Sequence, residues 1–519
     1  KRIIEKYISG KKPLVSVLLN PEIYSSTKND FEHAGFYEVR SDEKRWWQEK
    51  QFESKEPIQN SNLKLAEEKN IYTPQKNQSS KTENKISKRN IEIKKLKNEI
   101  PVYINNTSDK IISIAILCPG GVEKLTPETS GMETTLFSFM ADSSKKFSYK
   151  KRTEISYDTN SSIGYFSKLS GSALYLNAMD KHFEKTLPVF LDGFLNPAFN
   201  QNEYENTINA LRQRIQGIFN DPESFLAFTI SNKIYKDHPY EAKTFATPDS
   251  IKNITIENLK KYHKELLSNG NFSVVVSGKI DSDFLIKKLN STIGKLKFSN
   301  EETKRKIIQP ISIKKNTPLT LHHPSAEGTA YITKVFASPA NTESDFIPCV
   351  LAGNIYTDIL FNVVREHYGI CYSPQSYVIG SKAPYGIEHL FKVSDFSNFE
   401  KAMQEARNYM ANDKIVEKTN ANGSYEFSTV EQNLEGYKNS YINQTYQSQQ
   451  TNAGLVSILG YNLIQFNDID YDLKQLEQIK QTSAQEILSV FKKYWIENPS
   501  AWFAITGENT TLNFGEQEQ

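Results

Sequence analysis

Cysteine is nearly absent from this chain. Only Cys118, Cys349 and Cys371 occur in 519 residues, far apart and in no C-x-x-C spacing. That excludes a disulfide scaffold and a cysteine zinc knuckle. Net charge is nearly absent too: Lys+Arg 63 against Asp+Glu 61 leaves a formal +2. No arginine-rich stripe interleaves with aromatics as a phosphate-tracking surface does, so no nucleic-acid partner is expected. Long apolar runs are missing as well. IISIAIL (111–117) falls well short of the roughly 20 residues of a membrane helix, and no charged-then-apolar leader opens the chain. A soluble chain without a membrane span is expected. The eight histidines lie at 33, 182, 238, 263, 322, 323, 367 and 389, no two of them four apart. A helical zinc site sets two imidazoles on one face at i, i+4, so none exists here. The adjacent His322 and His323 point to opposite sides of an extended segment. No phosphate-loop pattern follows Gly120–Gly121, and no serine or cysteine sits in a nucleophile elbow.

What the chain does have is core material, with 38% apolar residues, 29 Phe and 27 Tyr. Its length exceeds what one hydrophobic core supports, which predicts two or three domains. Residues 1–37 read as the tail of a preceding domain, with a polar helix in KRIIEKYISGKK and a short strand in PLVSVLLNP (13–21). Residues 38–94, crowded with charge and amide, read as a linker. A first full domain spans 95–300 and a second 301–519, joined by a connector near 285–316. Both run through the same order: a buried strand, a helix, paired strands, an amphipathic helix, long helices, and a closing helix and strand. The fold class this predicts is α+β: two homologous domains, each a mostly antiparallel sheet with helices on one face.

In the first domain the buried strand KIISIAILCPGG leads into SGMETTLFSFM (130–140). By itself this is an amphipathic helix with Met132, Leu136 and Met140 facing a core. In the second, a long helix runs into VVREHYGICYS (363–373). Taken alone, Arg365 is a cation at a helix C-terminus and Tyr372 a strand aromatic in the core. Over roughly 420 residues, from IEIKKLKNEIPVYI to AWFAITGE, the chain resembles the C-terminal, non-catalytic half of the pitrilysin/insulinase-type zinc metallopeptidases, the inverted zincins. DPESFLAFTISNKIYKDHPY with its His-Pro-Tyr turn, and YHKELLSNGNFSVVVSGKID, are similar to that family's helix and closing strand.

The resemblance implies the following. The family's H-x-x-E-H helix falls on SGMETTLFSFM, with the two histidines at Thr134 and Ser138 and the glutamate at Phe137. The zinc helix is degenerate, and this chain holds no metal. The third family ligand is a glutamate on the following long helix, where only Glu203 and Glu205 stand, near its start. The family's R-x-x-x-G-x-x-Y pattern falls on Arg365, Gly369 and Tyr372, implying that Arg365 and Tyr372 assist catalysis and bind substrate across a chamber. Zinc would belong to a partner N-terminal catalytic half, on the same polypeptide or a separate subunit, and a peptide would be the substrate. The fragment alone would then be inactive. Analogy favours the bacterial periplasm or cell envelope, with the cytoplasm as the alternative. The competing reading is a catalytically inactive, pitrilysin-like binding or assembly protein.

Overall fold

In the computed structural model the described residues are 21–38, 89–299, 307–315, 318–420 and 422–508, with a few isolated positions besides. The chain divides into two units, Lys1–Glu83 and Asn84–Gln519. Of the first, the helix Pro21–His33 is the main described element. The polar opening helix lies largely outside the described residues, as do positions 39–88 of the expected linker. Residues 15–17, inside the expected strand 13–21, carry no strand.

The second unit begins within the stretch read as linker. Arg89 forks onto Asp472 (Nη1 to Oδ1, 2.8 Å) and reaches Gln449 at 2.8 Å, and Glu92–Lys95 is already a strand. The charge that suggested a linker is here ion-paired to the folded unit.

Two sheets organise the unit. The first contains β1 (Glu92–Lys95), β2 (Pro101–Asn106), β3 (Ile111–Pro119), β4 (Ser162–Ser167), β5 (Gly171–Met179) and β6 (Ser273–Gly278), in the order β1-β2-β6-β3-β5-β4. Only β2 and β6 run parallel. The second contains β7 (Leu319–His322), β8 (Ala330–Ala337), β9 (Ser373–Val378), β10 (Tyr385–Val393) and β13 (Ser500–Thr506), in the order β7-β13-β8-β10-β9. Again one pair, β7 and β13, is parallel. A ribbon of β11 (Ile415–Thr419) and β12 (Tyr425–Ser428) stands apart.

Alternation along β3 explains why its apolar run is continuous. Ile112, Ile114 and Ile116 face the helices of the main core, while Ala115 and Leu117 face Val456, Leu459 and Leu463 of the helix Asn452–Phe466. A strand buried on both faces has no polar positions to spare. The second sheet repeats this arrangement. Ile332, Phe336 and Leu390 meet the helix Phe346–Leu360, while Val335, Ile387 and Phe503 meet Leu226 and Ile230 of the helix Pro222–Ile234. Most helices gather on one face of each sheet, as expected. The opposite face takes one helix from the other half of the sequence, an exchange that makes one unit of two sheets. Each such buried aliphatic contributes about 2 kcal/mol of transfer free energy.

Polar contacts fix the same junction. Lys382, in the β9–β10 loop, places Nζ 2.8 and 3.0 Å from the two oxygens of buried Glu123, which also accepts from Ser170 Oγ at 2.5 Å. The His-Pro-Tyr turn serves this contact. His238 Nδ1 accepts from the Tyr240 N–H at 3.0 Å, and Tyr240 OH donates to Glu123 at 3.3 Å. Burial, with the Glu123 charge beside it, pushes the Tyr240 phenol well above its ordinary range. Lys382→Met leaves Glu123 buried with hydroxyl donors only. We expect it to lower unfolding stability by about 2 kcal/mol, read by urea denaturation.

Phe346–His367 is, by length and composition, apolar enough to cross a membrane, at 22 residues and a mean hydropathy of 1.5, and 67% of that window is buried inside the protein. It is the central helix of the second core. Counting uninterrupted apolar runs misses it because Asn354, Thr357, Asp358 and Asn362 divide the sequence.

Candidate active-site face

The helix Phe346–Leu360 changes pitch at its end, and Phe361–His367 is π-helical. Such wide turns recur at functional sites. Tyr368 N–H reaches back to the Val363 carbonyl and Gly369 N–H to that of Arg365, both at 3.0 Å. Gly369 then takes φ 64°, the left-handed conformation that costs glycine least, and the chain reverses into β9. Ile370 and Cys371 turn inward, whereas Tyr372 stays outside.

This reversal brings the two residues of the R-x-x-x-G-x-x-Y pattern together. The Arg365 guanidinium lies 4.4 Å from the Tyr372 ring centroid and 4.5 Å from that of Phe361, so aromatic rings lie beside it on two sides. Its Nε is 3.3 Å from Glu366 Oε1, and its Nη atoms have no hydrogen-bond partner among the described residues. Tyr372 is 67% exposed. The pair is thus solvent-facing, with donors free. Sequence reasoning named Arg365 and Tyr372 but missed Phe361, although i, i+4 spacing on one helical path was the available signal.

The segment is braced from the side. Asn362 Nδ2 donates to the Val416 carbonyl at 2.7 Å, and Thr419 Oγ1 to the Asn362 carbonyl at 3.2 Å, tying the wide turn to the ribbon. Tyr368 OH donates to Glu405 at 2.6 Å, and that bond pushes its phenol up to about 12.

β9, which follows Tyr372, ends its sheet without an open edge at Ser376. Thr357 Oγ1 lies 2.9 Å from both the N–H and the carbonyl oxygen of Ser376. β4, at the rim of the first sheet, pairs with β5 alone among the described strands.

SGMETTLFSFM forms the helix Met132–Asp142. Gly131 precedes it at φ 79°, and a Cβ there would stand 2.4 Å from the Ala246 nitrogen, so backbone crosses this helix end closely. Thr134 donates its hydroxyl to the Thr244 carbonyl. Phe137 is fully buried, and Ser138 Oγ donates to the Thr135 carbonyl at 2.8 Å. Burial raises the Tyr165 phenol, opposed by its bond with Ser138 and by the charge of Arg214. The Arg214 guanidinium on the long helix lies 5.7 Å over the Phe245 ring. Zinc does not fit Thr134, Phe137 and Ser138, which offer no imidazole or carboxylate. Among the described residues no group of three or more His, Cys, Asp or Glu could hold a metal ion. Glu203 accepts from Ser143 Oγ at 2.5 Å, and Glu205 from Gln201 at 2.9 Å, both close to the helix start. Glu133, which the sequence did not single out, is buried and takes hydrogen bonds from Ser172 and Tyr262.

His389 lies on the sheet face toward Pro222–Ile234, its Nδ1 2.8 Å from Thr333 Oγ1 and its Nε2 without a hydrogen-bond partner among the described residues. Burial depresses its pKa to about 4, and Glu223, 3.9 Å from Nε2 and half exposed, does not offset this. Because the folded-state pKa lies below the unfolded 6.5, the stability is complete above pH 6.5 and is lost as pH falls from 6.5 through 4. We expect a loss of about 3 kcal/mol over that window, largely abolished in His389→Gln, read by urea denaturation at a series of pH values.

Two family models match the chain. "Insulinase (Peptidase family M16)" matches residues 101–248 and "Peptidase M16 inactive domain" residues 253–415. The fold is that of the pitrilysin-type peptidases, family M16. Among solved M16-like structures, the peptidase M16 inactive domain from Pseudomonas fluorescens superposes with a TM-score of 0.67 at 13% identity, covering 82% of this chain and 99% of that one. The periplasmic protease PqqL from Escherichia coli gives 0.65 at 15% identity, covering 81% of this chain but only 46% of its own. An uncharacterized zinc protease of Bacillus subtilis (strain 168) is 24% identical over 136 residues, 26% of this chain and 32% of its own. One of Mycobacterium leprae (strain TN) is 22% identical over 217 residues, 41% of this chain and 49% of its own. The chain thus spans half or less of the curated relatives it matches. It is a non-catalytic M16 half, and zinc belongs to the catalytic members of that family.

Proposed function

We propose that this chain is the assisting half of a zinc metalloendopeptidase. Residues 89–300 and 301–519 are its two M16-type domains, and 1–37 is the tail of the half that carries the metal. It helps to enclose a peptide, whose backbone adds to the rim of β4, which no other described strand pairs. Arg365 and Tyr372 reach the scissile bond held at zinc in the catalytic half. One observation carries this reading: the Arg365 guanidinium stacked on an exposed Tyr372, its Nη donors without a hydrogen-bond partner among the described residues. As water attacks, the peptide carbonyl oxygen gains negative charge, and a preorganised N–H and phenol O–H can stabilise it.

The second reading, an inactive binding or assembly protein, draws on the zinc helix, where Phe137 is packed in the core and Thr134 and Ser138 donate to backbone carbonyls. The two separate on hydrolysis of a quenched fluorescent peptide library by this chain alone and by the chain joined to its catalytic half, each with zinc and with chelator. The first reading expects cleavage by the joined form only, abolished by chelator. Cleavage by neither form favours the second, and cleavage by this chain alone refutes both.

A further inference from the structure

Phe361 is 38% exposed, belongs to no hydrophobic core cluster, and opens the π-helical turn. Its neighbours Leu360, Val363 and Val364 are fully buried, so helix packing accounts for them and not for it. What it does contact is the Arg365 guanidinium, 4.5 Å from its ring centroid, with the Tyr372 ring at 4.4 Å. A guanidinium is planar, stacks on aromatic faces and keeps its N–H edge free for hydrogen bonds in that plane. Without Phe361 the long side chain would be restrained by Tyr372 and by Glu366, whose oxygen 3.3 Å from Nε can swing the cation toward its own carboxylate.

We infer that Phe361 is a positioning residue that holds Arg365 in the plane from which its Nη donors reach the reacting carbonyl. This rests on the reading of the chain as an assisting half. The backbone beneath these side chains is pinned separately by Asn362 to the ribbon, so replacing the ring changes the side-chain arrangement and not the turn. Tyr372 has its own exposed hydroxyl to offer, whereas Phe361 has no polar atom. Any part Phe361 plays in stabilising charge on the carbonyl oxygen therefore acts through Arg365.

The test uses the chain joined to its catalytic half. Phe361→Leu, which keeps bulk and loses the ring, is expected to lower kcat about three- to tenfold, the range of an exposed to partly desolvated cation–π contact, with KM and melting temperature unchanged. Phe361→Tyr restores the rate, and Phe361→Leu adds no loss in an Arg365→Ala background. An unchanged kcat, a loss that persists without Arg365, or a loss matched by a fall in melting temperature would overturn the inference. A second measurement does not depend on turnover. In the chain alone, the Arg365 Nε–H proton resonance should carry an upfield ring-current shift that Phe361→Leu reduces and Phe361→Tyr keeps; a resonance indifferent to both sinks the inference. If Arg365→Ala costs nothing in turnover while the ring-current shift behaves as expected, the assisting-half reading fails and the stacking of Phe361 on Arg365 stands.

Discussion

On the proposed assisting role, Arg365→Ala in the joined enzyme is expected to lower kcat by about 10²–10³, with KM near that of the parent. The magnitude follows from where charge develops. The ground-state carbonyl oxygen is a weak acceptor that water serves well, whereas the tetrahedral oxygen would carry most of a unit charge inside the chamber proposed for the two halves. A donor aimed at the latter is felt in the transition state far more than in the substrate complex, which places the loss in kcat and kcat/KM together. Arg365 suits this role because its guanidinium is stacked before substrate arrives, so little reorganisation is left for the reaction step. Tyr372→Phe tests the second donor. It retains the ring against Arg365 and removes only the hydroxyl, so any loss reports the phenol O–H and not the stack. Arg365 is half-buried, with Glu366 as its only ion-pair partner among the described residues, and its removal leaves no buried charge there. The melting temperature should therefore hold within about a degree or two of the parent. A parallel collapse of activity and melting temperature would mean that Arg365 serves the fold, and an unchanged kcat would remove it from the chemistry.

How much of this was legible in the chain varied with the range of the interaction. Strand β3 and the closing strand β13 announce themselves as β-branched and aromatic runs, and the helix Met132–Asp142 as apolar residues at helical spacing. These are local signals. That no zinc helix exists follows from counting histidines, and the Arg365–Gly369–Tyr372 spacing was readable once its surroundings resembled a family. The Pro222–Ile234 and Asn452–Phe466 helices were visible as helices, but nothing in their sequences says that each packs on the sheet of the other half of the chain. That assignment is made by Leu226 and Ile230 meeting Phe503, and by Leu459 meeting Leu117, contacts across hundreds of residues. The pairing of Lys382 with Glu123 is hidden for the same reason. The π-helical turn is a compromise between the helix and the ribbon that grips Asn362, so helical periodicity alone cannot reveal it. Residues 89–94 were misplaced in the linker because a charged residue whose partner lies at position 472 looks, in sequence, like one facing water.

Glu388→Leu is expected to cost about 3–5 kcal/mol of unfolding stability, the largest single effect in the second core. Glu388 is fully buried on β10, with Lys334 Nζ 2.9 Å from one oxygen and Arg407 Nη1 2.9 Å from the other; Tyr356 OH also donates to it, at 3.1 Å. Burial alone would raise the carboxyl pKa, yet the two cations hold it below the usual range. Burial likewise lowers the Lys334 ammonium against the pull of Glu388. Removing the anion strands two cations in a core where Lys334 keeps only the Trp495 carbonyl, at 2.9 Å, as a partner. The desolvation cost then stands without its compensation. The control is the triple variant Lys334→Met, Glu388→Leu, Arg407→Met. If the cost arises from uncompensated charge, it should recover most of the loss, since apolar replacement of an entire buried ion network is often neutral. If the triple variant is as unstable as Glu388→Leu, the carboxylate acts through shape and its bond to Tyr356. Either way the effect is on the fold that carries the candidate site, since Tyr356 lies on the helix that runs on into Phe361 and Arg365. Glu388→Leu should therefore lose activity in proportion to the fraction unfolded, in contrast to Arg365→Ala, which loses it while folded.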